Sequence, residues 1–158
     1  MAGGLERQES TITQKKAAIK IITLFVEGIP RSKLRPRTVV NRTNKRGKPW
    51  TYNPSVTTEY ADYVRVKARE YMKTRELKPF PRNVPVHACF TFYVKRLIDK
   101  NGDLARPDTA NLICNVQDAL SGEMYIDDAQ ITQIVADKVK ATNKDKVGVL
   151  IEVKKAGG

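Results

Sequence analysis

Histidine is nearly absent from this 158-residue chain, His87 being the single example, and cysteine is limited to Cys89 and Cys114. Two separated cysteines without CxxC spacing, and no Cys/His cluster, exclude a zinc site and give no disulfide framework. They read as buried, reduced thiols. His87 falls in a strand-like stretch and reads as a packed or surface histidine rather than a catalyst. No run reaches the roughly 18 uninterrupted apolar residues of a membrane span. The opening "MAGGLERQESTITQKK" lacks an apolar signal core, so a cytoplasmic protein is expected.

Acidic residues are the next scarcity. Residues 1–100 carry 22 Lys+Arg against 8 Asp+Glu, whereas residues 101–158 carry 7 against 9, within a formal net charge of +12. Between residues 31 and 48 there is no acid at all, and eight bases: Arg31, Lys33, Arg35, Arg37, Arg42, Lys45, Arg46 and Lys48. Such a segment attracts a polyanion by neutralising phosphates and releasing counterions, which points to nucleic acid. An anionic membrane surface is the weaker partner, because the run has no amphipathic helical pattern.

Length and composition suit one domain with a real core. Residues 1–16 read as a flexible polar lead and 17–155 as the domain. "AIKIITLFVEG" (18–28) is rich in β-branched residues and predicts a strand. The basic segment follows as a loop or an open hairpin. Residues 53–74 predict a helix, with Asn53 as cap, Pro54 in its first position, and Val56, Tyr60, Tyr63, Val64 and Tyr71 on one side. Residues 84–96 predict a strand whose Val84, Val86, Ala88, Phe90 and Phe92 share a face. A helix over 109–120 has Leu112, Val116 and Leu120 as its buried stripe, widened by Ile113 and Ala119. Residues 124–141 predict a strand with Ile131, Val135 and Val139 on one side, and 146–155 predict the last. The expectation is an α+β single domain with a mostly antiparallel sheet and two main helices.

Acids gather in "RPDTANLICNVQDALSGEMYIDDAQI" (106–131). Asp108, Asn111, Asn115 and Asp118 recur at 0, +3, +7 and +10, which places them on a helix face away from the apolar stripe. Asp127 and Asp128 follow a short turn, so the carboxylates of Asp108, Asp118, Asp127 and Asp128 are expected to converge. Convergent carboxylates repel unless a cation sits among them. The expected cation is Mg²⁺, or Mn²⁺, which takes oxygen ligands and can activate water against a phosphodiester. The bland alternative is a helix cap at Asp108, a surface acid at Asp118 and a turn at Asp127-Asp128.

The same block resembles the RusA family of Holliday junction resolvases. That family's pattern is roughly K/R-P-D-x-D-N-L-x-K, then D-A-L-N-G, an aromatic, D-D and Q-V/I. Upstream, "IPRSKLRPR" is similar to the family's basic K-x-R-P-R segment, and "YNPSVTTEY" to the Y-x-P-x-x-T-x-x-Y after it. The resemblance spans about Ile19 to Lys155. It implies a RusA-like fold and a homodimeric, Mg²⁺-dependent endonuclease that cuts four-way DNA junctions by paired nicks. Asp108 matches the first essential aspartate, Asp128 the second member of the "DD" pair, Asp127 its neighbour, and Asp118 the "DAL" aspartate. Asp108, Asp127 and Asp128 are thus the catalytic candidates, and the same three with Asp118 the metal candidates. Arg106 joins the eight bases as a DNA-binding candidate. Two positions depart from the pattern: Ala110 stands at its second aspartate and Cys114 at its lysine. Alternatives are a non-catalytic DNA-binding module on the same basic surface, and an RNA-binding protein of ribosomal type. The latter has no need of the acid block.

Overall fold

The computed structural model describes residues 21–33, 37–39, 50–52, 55–142 and 146–157. The expected lead at 1–16, the Asn53–Pro54 cap, and Arg35, Arg42, Lys45, Arg46 and Lys48 lie outside these residues. Strand β1 (Ile21–Glu27) turns Ile22 and Val26 into the core. The basic segment then contributes β2 (Arg37–Val39), which pairs with β3 (Trp50–Tyr52) just beyond it as an antiparallel two-stranded ribbon, in keeping with an open hairpin.

Helix α1 (Ser55–Thr74) buries Tyr60, Val64, Ala68 and Met72, a stripe at strict four-residue spacing. Tyr63 departs from the expected stripe: its ring is 40% exposed and its hydroxyl donates to the Glu27 carbonyl at 2.7 Å. The helix ends where Leu77 N–H donates to Met72 O (2.8 Å) and Glu76 N–H to Lys73 O (3.1 Å), with Glu76 at φ 54°. This is a Schellman termination.

Strand β4 (Val86–Val94) alternates as expected, with Val86, Ala88, Phe90 and Phe92 buried. A loop leads to α2 (Thr109–Leu120), which buries Leu112, Val116, Ala119 and Leu120. A 3-10 turn (Asp128–Gln130) then enters β5 (Ile131–Lys140), and β6 (Gly148–Lys155) closes the sheet. Strand order is β1-β6-β4-β5, antiparallel except for the parallel β4–β5 pair, which α2 joins as a crossover. One buried cluster unites the inward sheet residues with the stripes of both helices. The architecture is a single α+β domain: a four-stranded, mostly antiparallel mixed sheet with two helices.

Two strand expectations need correction. Strand β5 begins at Ile131 rather than at residue 124, because Met124 and Tyr125 are wholly buried and anchor the turn beneath α2. Val135 and Val139 face outward, 48% and 39% exposed, while Ile134 and Ala136 pack against the core. The cause is a register shift: Val86 pairs with Ile131 but His87 with Gln133. The extra residue flips the parity that an uninterrupted strand would have kept. Among the described residues no helix is long and apolar enough to cross a membrane.

Candidate functional site

The site is built on α2 and the turn after it. Asp108 is the N-cap residue of α2, extended at φ −67° and ψ 143°, yet its side chain makes no cap hydrogen bond. Instead the carboxylate accepts from Arg106 Nη1 at 3.0 Å on both oxygens, and from Asn111 Nδ2 at 3.4 Å. Asp118 lies in the last turn of α2. Ten residues of helix amount to a rise of about 15 Å, so α2 holds Asp108 and Asp118 at opposite ends.

The Asp118 end is the more populated. Its carboxylate is ion-paired with the Lys33 ammonium, and its backbone carbonyl accepts from Arg65 Nη2 at 3.2 Å. Asp127 caps the 3-10 turn, accepting from Ala129 N–H at 3.3 Å. Gln130 Oε1 reciprocates, accepting from the N–H groups of Ile126 (2.7 Å) and Asp127 (3.0 Å). A hydrogen bond to Asp127 holds the Asp128 proton more tightly than usual, reinforced by the slight desolvation of this exposed group and by the negative charges of Asp127 and Asp118. The same bond, seen from Asp127, pulls its carboxyl below the usual range. Beneath them Tyr125 is wholly buried, with its hydroxyl donating to Gln117 O at 2.6 Å. Burial pushes this phenol well above its ordinary value, and the charges of Asp128 and Asp118 add to the effect. Asp118 and Asp127 therefore each lie within electrostatic reach of Asp128, while Asp108 is engaged by Arg106.

Glu123, the remaining acid of the block, accepts from Arg69 Nε (3.1 Å) and Nη2 (2.8 Å), which ties α1 to the turn after α2. Of the basic candidates, Arg31, Lys33 and Arg106 are exposed, and Arg37 lies in β2. Cys114 is exposed on α2, contrary to the expectation of a buried thiol, and Cys89 is half-buried; both are free.

Three functional contacts were not readable from spacing. Asn115, expected on the polar face, is buried, and its amide donates to Arg31 O at 2.9 Å. Lys33 N–H donates to Asn111 O at 3.1 Å. Lys33, one of the DNA-binding candidates, is ion-paired with Asp118.

The model of the endodeoxyribonuclease RusA family matches residues 27–154, and the chain belongs to that family of Holliday junction resolvases. No curated protein matches it. Nucleases of this family generally use a divalent metal. Among the described residues, however, no three His, Cys, Asp or Glu side chains are grouped so as to hold a metal ion. Asp108 is engaged by Arg106, Asp118 by Lys33, and position 110 offers only a methyl group. The donor set as folded does not fit a metal centre.

Proposed function

We propose that the protein binds four-way DNA junctions in the cytoplasm, as a homodimer of a domain spanning residues 17–155 behind a polar lead at 1–16, and that its cutting is impaired. The observation that carries this reading is the strapping of the basic segment to α2. The Asn115 amide holds the Arg31 carbonyl and the Asn111 carbonyl holds the Lys33 N–H. The start of the polyanion-attracting run is thereby fixed beside the acids, so bound phosphates would lie near the carboxylates.

Asp108, Asp127 and Asp128 are the carboxylates proposed for phosphodiester chemistry. Mg²⁺ or Mn²⁺ is the cation they would require, with Asp118 as an added ligand. Ala110 and Cys114 leave that half of the activity short of one acid and one base on neighbouring helix positions. The reading of a non-cutting junction binder is favoured by the ungrouped donors.

A synthetic four-way junction, with a linear duplex as control, separates these activities. The chain is expected to prefer the junction in EDTA and to cut it weakly with Mg²⁺ or Mn²⁺. Ala110→Asp should raise cleavage, and Ala110→Asp with Cys114→Lys should raise it further, each tenfold gain representing about 1.4 kcal/mol of transition-state stabilisation. Strong cutting by the unaltered chain, or no gain in the folded double variant, would refute the impaired-site reading. Equal affinity for junction and duplex would refute junction selectivity.

A further inference from the structure

The acids at the end of α2 already hold a cation. Lys33 is ion-paired with Asp118, and its charge also feels Asp128 and the flank of Cys114. The backbone that carries this half-exposed lysine is anchored to the helix. The Lys33 N–H is fixed to Asn111 O at 3.1 Å, and two residues earlier the Arg31 carbonyl is fixed by the buried Asn115 amide at 2.9 Å. Backbone and side chain of the strap thus meet α2 at three points. On the helix itself, the neighbour of Asp118 one turn back is Cys114, so the positive charge at the Asp118 carboxylate comes from the strap, with Arg65 on the Asp118 carbonyl at 3.2 Å beside it. Arg82 supplies positive potential on the Asp127 side.

We infer that Lys33 is the resident counter-ion of the Asp118–Asp128 side of the site, and that it competes with a divalent cation for the Asp118 carboxylate. A metal ligand must offer its lone pairs to the ion, and Asp118 offers them to an ammonium. A divalent ion entering there would also meet a fixed positive charge at close range. Lys33 is therefore a positioning residue that keeps Asp118 and Asp128 compatible and lowers their affinity for metal. The inference rests on the acids being the metal-facing groups of the proposed function, and it holds whether or not the chain cuts DNA.

The test is Mn²⁺ binding to the full chain without DNA, read from the electron paramagnetic resonance signal of free Mn²⁺, with Mg²⁺ as competitor. Lys33→Met is expected to bind Mn²⁺ at least tenfold more tightly than the unaltered chain, and Lys33→Arg to behave like it. Adding Asp118→Asn to Lys33→Met should abolish the gain. Lys33→Gln, which keeps a polar side chain on the strap but no charge, should show the same gain, which provides a test even if Lys33→Met does not fold. Unchanged Mn²⁺ affinity in folded Lys33→Met or Lys33→Gln, or a gain that survives loss of Asp118, would each overturn the inference. Junction binding in EDTA is measured beside it. Its absence would refute the proposed function while leaving the Mn²⁺ comparison to stand by itself.

Discussion

Gln130 shows what a single amide contributes. It is 6% exposed, and its Nε2 lies within hydrogen-bond distance of the Phe80, Pro81 and Val84 carbonyls at 3.3, 2.6 and 2.9 Å. Its Oε1 accepts from two backbone N–H groups of the Asp127 turn. Gln130→Ala strands these partners away from water, each at a cost of about 1–3 kcal/mol where no water replaces the amide. A loss of about 3 kcal/mol in denaturant-unfolding stability is expected, and a loss below about 1 kcal/mol would show that the turn is held by other contacts. Asp128 carries a pH-dependent expectation. A carboxyl whose folded pKa is raised contributes stability below its unfolded pKa and loses it as pH rises through the folded value. Asparagine at this position keeps an N–H donor for Asp127 at every pH and removes the repulsion from Asp118 and Asp127. Asp128→Asn should therefore melt at a higher temperature than the unaltered chain at pH 7, with the advantage shrinking as pH falls through the carboxylate range. An advantage larger at pH 3 than at pH 7 would reverse the assignment. The identities of these acids were legible in the sequence, since a compact acidic block stands out in a basic chain. Their partners were not, because Arg106, Lys33 and Gln130 meet them through a loop conformation, a long-range strap and a buried turn.

At the level of elements, legibility followed periodicity. Helix α2 and strand β4 match their apolar patterns, because each buries one uninterrupted face. Strand β5 defeated the same method: one extra residue near Ile131 inverts inside and outside, and no residue type in "DAQITQIV" announces it. Tyr63 misled in a different way, since a tyrosine beside an apolar stripe can spend its ring at the boundary and its hydroxyl on Glu27 O. The end of α1 offers a direct test of element-level reasoning. Glu76 occupies the left-handed position that glycine normally fills in a Schellman termination, at φ 54°. Its Cβ strain there outweighs the extra chain entropy that glycine brings to the unfolded state. Glu76→Gly should stabilise the protein by about 0.5–1 kcal/mol in equilibrium unfolding. A destabilisation would mean that the Glu76 side chain contributes more than its backbone strain costs.

For the whole molecule, charge and symmetry act together. A four-way junction has two-fold symmetry, and paired nicks call for two sites related by a two-fold axis, so a dimer is expected in solution. Light scattering at micromolar concentration should give twice the chain mass, and a monomer would count against the paired-site reading. The salt dependence of junction binding tests the same point independently. Each phosphate contact on B-DNA contributes about 0.9 to the slope of log affinity against log salt. In a monomer, replacing Arg35 by alanine removes at most one such contact. In a two-fold dimer the same substitution occurs twice, so the slope should fall in magnitude by about 1.8. Arg35→Ala with Arg37→Ala should lower it by up to about 3.6, with binding weakened at every salt concentration. An unchanged slope would assign both arginines to solvated surface. A decrease near 0.9 for Arg35→Ala would mean that one copy of the basic segment meets the DNA, because electrostatic contacts are counted per complex rather than per chain.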